Sequence, residues 1–223
     1  MTSPFSKKVA RRHFLGMLGG AAVASRALAD TSCAPVYGGQ VCTSQVDFEQ
    51  FADEAYQSQA MPEWCWAACI SMVFAFYGHP VSQPRIVSEV YGAPYNLPAG
   101  YGKTIAAQLN REWKDDNGKR FRATLTAAFD YDAHVNTLNN VMLIRELDGE
   151  HPIIIGAGTH AMVLTFMQYF QSPMAGISVR RCGVFDPWPG RGARDLTPAE
   201  MAPMPLGGLR FVATARIHDL DKD

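Results

Sequence analysis

The chain has 223 residues, 48% hydrophobic and 18% charged, with a formal charge of −1. That length suggests a single domain with a real core. Residues 1–29 hold Lys7, Lys8, Arg11, Arg12, Arg26 and no acid, so the rest of the chain stands at −6, which argues against nucleic acid as the main partner because phosphate binding needs clustered Lys and Arg.

The first segment, "KKVARRHFLGMLGGAAVASRALAD", has a basic start, an apolar stretch from Phe14 to Ser25, and the small-residue pattern Ala27-Leu28-Ala29. It reads as an export signal over 1–29, with cleavage before Asp30. Arg11-Arg12 before His13-Phe14-Leu15 resembles a twin-arginine signal, which carries folded proteins. The apolar stretch falls short of the ~20 residues that span a bilayer. The remaining chain, 30–223, is expected to be one domain, periplasmic or secreted from a bacterial cell, with no membrane association after cleavage.

Five cysteines follow the leader: Cys33, Cys42, Cys65, Cys69 and Cys182. Cysteines pair in an oxidising compartment, and an odd number leaves one thiol over. Cys33 and Cys42 bracket a Gly-rich loop and are natural partners; Cys69 and Cys182 are candidates for a second pair. Cys65 is then the thiol left over.

Residues 30–46 read as a stapled loop, and 46–57 has helical spacing. "CWAACISMVFAFY" (65–77) is apolar nearly all round and too long for a strand, which predicts a buried helix stopped by Gly78 and Pro80. Further helices are expected over 84–92, 100–113 and 134–149. The segments 152–157, 160–170, 177–187 and 209–217 are β-branched and aromatic between Gly and Pro, and predict antiparallel strands. The Pro/Gly-rich stretch 187–208 reads as a loop. The order, helices and then a sheet, implies an α+β chain with two lobes.

A thiol attacks a carbonyl as its thiolate, which is favoured at a helix N-terminus beside a histidine. Cys65 falls where the apolar helix begins. Of six histidines, His160 stands at a strand entrance after a Gly-containing turn, where it can face a cleft. Asp186, at the end of the next strand, can orient it.

Gln59 with "CWAA" (65–68), "GTHAMVLTF" and "VFDPWPG" together resemble the catalytic segments of papain-like cysteine peptidases, and most closely their small bacterial branch of secreted effector and bacteriocin-leader peptidases. The resemblance covers roughly 57–190. It implies a two-lobed fold with a central catalytic helix in the helical lobe and an antiparallel sheet in the other. It also implies Cys65 as nucleophile, His160 as base, Asp186 as its orienting group, and Gln59 with the backbone N–H of Cys65 as oxyanion hole. Trp64, Trp66 and Trp188 are candidates for the cleft wall. The spacings from Cys65 to His160 and Asp186, 95 and 121 residues, are shorter than the ~130–150 of papain and cathepsins. Pro62 replaces a cysteine found there, and Asp186 stands where papain has asparagine.

The expected activity is peptide-bond hydrolysis through a thioester, with a protein or peptide as substrate. Acyl transfer of the transglutaminase type on the same residues, and an inactive binding module with the same fold, are the alternatives. No C-x2-C pair or H-E-x-x-H motif occurs, so neither metal nor cofactor is expected.

Overall fold

The computed structural model describes residues 31–100 and 102–221. The segment expected to be an export signal, 1–29, lies outside them. In chain order the elements are β1 (Ser32–Val36), β2 (Gly39–Gln45), α1 (Phe48–Gln50) running into a π turn (Phe51–Ala55), α2 (Cys65–Phe76), α3 (Gln83–Tyr91) and α4 (Gly102–Gln108). Then follow β3 (Arg111–Lys114), β4 (Arg120–Asp130), β5 (Val135–Asn136), α5 (Asn140–Asp148), β6 (Ile153–Ala157), β7 (His160–Ser172) and β8 (Gly176–Asp186). The last are β9 (Gly192–Asp195), α6 (Pro198–Met201), a 3-10 turn (Met204–Leu206) and β10 (Leu209–Asp219). Helices are mixed with one antiparallel sheet, as the α+β class requires. Among the described residues no helix is long and apolar enough to cross a membrane.

The helix α2 forms because nothing between Cys65 and Phe76 is charged or a helix breaker. It is buried on every side, with only Cys65 and Ala75 partly open. Its small residues Ala67 and Ala68 are fully buried, so the helix can lie close to its neighbours, of which β7 is the chief sheet partner. Phe74 anchors its far end, edge-on to Trp113 at 5.4 Å and Phe121 at 4.9 Å. Burying each such ring is worth about 1.5–3 kcal/mol.

The organising strand is β7. One edge pairs with β8 along almost its whole length. The other edge is divided: residues 160–164 pair with β6, and 166–171 with β2. From β6 the sheet continues through β10 and β4 to β3.

Several expected elements differ. The stapled loop over 30–46 is the hairpin β1–β2, closed at Tyr37–Gly38, because Gly38 adopts φ +81 and both flanks carry β-formers. The helix expected over 100–113 stops at Gln108, and Arg111–Lys114 pairs with β4 instead. The helix expected over 134–149 starts only at Asn140, where the Asn139 side chain accepts from the Met142 N–H; Val135 and Asn136 pair with β4. The loop over 187–208 contains β9 and α6, the latter started by a capping box of Thr197 and Glu200. Helices therefore do not precede the sheet; the two alternate.

Candidate active site

Cys65 is the first residue of α2, after a tight turn in which the Trp64 N–H donates to Met61 O at 3.0 Å. The first N–H groups of a helix have no intrahelical partner, so this end favours an anion. Both flanking tryptophans are buried, and each ties the helix start to the loop after α3. Trp64 Nε1 donates to Tyr95 O at 2.9 Å, and Trp66 Nε1 to Leu97 O at 3.2 Å.

His160 opens β7, delivered by the two-residue turn Gly158–Thr159, with Ala157 paired opposite it. Asp186 closes β8. Since β7 and β8 run antiparallel, the start of one lies beside the end of the other. The His160 Nε2–H donates to Asp186 Oδ1 at 2.6 Å. The remaining ring nitrogen is left for Cys65, whose interaction with His160 favours the charged imidazole. Burial alone pulls the His160 value down. The hydrogen bonds to Asp186 and Cys65, with their charges, more than offset it and hold His160 up at about 9.

Asp186 is fully buried. Its burial favours the neutral acid, but bonds from His160, the Trp188 N–H (2.9 Å) and Arg194 Nε (2.8 Å) outweigh this and keep it well below the usual carboxylate range. Arg191 Nη1 stands at 3.4 Å. The Trp188 ring is half-exposed and meets His160 edge-on at 6.3 Å.

Beside these groups lies a cavity of about 390 Å³ lined by Cys65, Trp66, Ile105, Thr159, His160 and Phe211, among others. The Asp132–Arg210 ion pair (2.5 Å) borders it. Its lining mixes buried apolar side chains with the charged Glu63, Asp132 and Arg210. Trp66 faces this cavity, whereas Trp64 and Trp188 are not part of its lining.

Gln59 is buried near the turn that starts α2. Its Nε2 donates to Met61 O at 3.0 Å and Pro62 O at 2.7 Å, while its buried Oε1 has no partner. Both amide protons are therefore directed at backbone carbonyls.

Cys33 and Cys42 are joined as a disulfide across the β1–β2 hairpin. Cys69 and Cys182 are not the second pair: both are free and buried. Cys69 points into the core one turn beyond Cys65, where burial first, then the charges of Cys65 and Asp186, push its thiol value up. Cys182 lies on β8 opposite Met167, and burial pushes it up to about 11. Arg191 and Arg194 went unread in the sequence because they lie in a Pro/Gly-rich stretch with no periodic signal.

A family model described as "Peptidase_C39 like family" matches residues 48–198, more than half of the chain. No curated protein and no solved structure matches it. The matched segment contains Cys65, His160 and Asp186, and the chain belongs to the Peptidase_C39 like family, at the family level a cysteine peptidase.

Proposed function

We propose an exported peptidase of the small bacterial papain-like branch, which cleaves peptide bonds in a protein or peptide through a thioester on Cys65. The observation that carries this is the line Cys65–His160–Asp186, with the thiol at a helix start and the cavity beside it. The two lobes of the papain-like reading are the helices around α2 and the sheet carrying His160 and Asp186, with the cleft between. The domain runs over 30–223, behind a cleaved twin-arginine-type leader at 1–29. The Cys33–Cys42 disulfide supports an oxidising destination, periplasmic or secreted.

In this reading the Cys65 thiolate adds to the scissile carbonyl carbon, and the carbonyl oxygen becomes an oxyanion facing the Cys65 N–H. The tetrahedral adduct collapses as the His160 imidazolium gives its proton to the departing amine, leaving an acyl thioester. Water, deprotonated by His160, then adds to the thioester. The acid leaves and the thiolate–imidazolium pair returns. Gln59 supplies the second oxyanion donor once one of its amide protons leaves the Met61 or Pro62 carbonyl.

The test is labelling of the purified protein with iodoacetamide across pH 5–9, the adduct located by mass, alongside hydrolysis of a peptide library. A fast adduct on Cys65, and loss of hydrolysis in a folded Cys65→Ala, are expected. A Cys65→Ala variant that still hydrolyses the same peptides sinks the reading.

A further inference from the structure

We infer that Arg194 is a positioning residue for this reaction: its guanidinium, clamped between two carboxylates, holds Asp186 in the orientation that aligns His160. The inference rests on the Cys65–His160–Asp186 reading above. The two oxygens of Asp186 divide their duties. Oδ1 accepts from His160 and from the Trp188 N–H, at 2.6 and 2.9 Å; Oδ2 accepts from Arg194 Nε at 2.8 Å. A carboxylate fixed at both oxygens cannot rotate about its Cβ–Cγ bond without breaking a buried contact.

Arg194 is itself immobilised. Nη2 donates to Glu200 Oε1 at 2.6 Å and Nη1 to Glu200 Oε2 at 3.0 Å, a two-pronged bond. Nη1 also donates to Asp195 O at 2.9 Å, and Nη2 reaches Met162 Sδ at 2.9 Å. Met162 is buried in β7, two residues after His160. Glu200 is anchored in turn by the Thr197 N–H and hydroxyl, and sits at about 2 because the Arg194 hydrogen bond outweighs burial and is joined by those to Thr197. A chain of fixed contacts therefore runs from the start of α6 to the imidazole. Arg191 cannot replace Arg194: its Nη1 is 3.4 Å from Oδ2 and its side chain is 55% exposed. Lysine cannot either, since one ammonium lacks the planar fork that meets Asp186 and Glu200 together.

The charged and titratable groups facing Asp186 are His160 from β7, Arg194 from β9, Arg191 from the turn after β8 and the Cys69 thiol from α2; the Tyr56 hydroxyl stands at its backbone carbonyl. Removing Arg194 leaves Oδ2 with only the 3.4 Å contact from the exposed Arg191. Asp186 is then held firmly at Oδ1 alone, can turn about its Cβ–Cγ bond, and supports the imidazolium less well.

The experiment is the rate of iodoacetamide alkylation of Cys65 from pH 4 to 10, which needs no substrate. In Arg194→Ala the neutral-pH limb, on which labelling depends on the Cys65–His160 pair, should slow about tenfold, the equivalent of about one pH unit less support for the imidazolium. Guanidinium ion added to Arg194→Ala should restore the wild-type limb, because the Arg194 side chain is 20% exposed and its place is reachable. Arg194→Lys should not restore it. Arg181→Ala, which removes an exposed pair with Asp195 and a contact over the Phe166 ring but nothing at Asp186, should match wild type. A folded Arg194→Ala whose profile superimposes on wild type, or is slowed equally at every pH without guanidinium rescue, overturns the inference. Should Arg194→Ala not fold, Glu200→Gln decides: a smaller slowing on the same limb supports the inference, and an unchanged profile overturns it. A wild-type chain whose Cys65 labels like an ordinary thiol overturns the parent reading first. Fast wild-type labelling with indifferent variants overturns this inference alone.

Discussion

At the scale of single residues, the imidazole carries the pH behaviour. His160 stands at about 9 in the folded chain against an ordinary 6.5. Its contribution to stability is complete below 6.5 and is lost as pH rises through 9. The melting-temperature gap between wild type and His160→Ala should be widest below about pH 6.5 and close through about pH 9; a gap that widens in alkali contradicts the assignment. Asp186 acts in the opposite sense. Its folded value is depressed, so its contribution is present above 3.8 and lost in acid, as pH falls through the folded value. Gln59 offers a second check. Loss of an oxyanion donor should cost ~10²–10³ in kcat with KM little changed. If Gln59 only braces the turn at Met61 and Pro62, Gln59→Ala should lower the melting temperature and leave kcat per folded molecule intact. Its orphaned Oε1, costing about 1–3 kcal/mol in a buried setting, is the kind of expense found where a group is kept for use.

At the scale of elements, the cleft wall depends on how α4 meets the sheet. A Cβ on Gly102 would collide with the Phe211 ring and with Asp130 Oδ2. Gly102→Ala should therefore cost about 1–3 kcal/mol by overpacking, raise KM, and leave iodoacetamide labelling of Cys65 unchanged; equal loss of labelling would mean that Phe211 also supports the thiol. Elements with a continuous apolar signal were the legible ones. α2 could be read because its twelve residues contain no charge, and β7 because "HAMVLTF" is apolar on both faces. β4 was illegible: in "RFRATLTAAFD" the inward residues include small Ala123 and Ala128, with Arg120 and Arg122 outward, so the alternation is faint. β9 was hidden for a different reason. Four residues in a Gly-rich stretch become a strand only because β8 supplies the partner. The proposed Cys65–His160–Asp186 line could be named from its order along the chain; what holds it could not, since the Arg194–Glu200 clamp exists only after β9 and α6 have formed.

At the scale of the whole molecule, the disulfide and the cleft occupy opposite ends of one strand. Closing the short Cys33–Cys42 loop stabilises by at most about 3 kcal/mol. Cys33→Ser with Cys42→Ala should lower the melting temperature and leave Cys65 labelling at its wild-type rate, as measured by thermal denaturation and mass spectrometry on one preparation. A non-reducing peptide map should return Cys33–Cys42 as the linked pair, with Cys65, Cys69 and Cys182 each as a thiol. The divided edge of β7 gives this separation a practical use. From His160 to Ser172 the strand spans about 40 Å at the usual rise per residue. The tip at Tyr37, fully open to solvent, lies at the Ser172 end, beyond Gln40 and its partner Gln171. It is a natural handle: a dye, an affinity tag or a resin attached there would sit a strand's length from the thiol, and a tethered molecule would present its working mouth to the liquid.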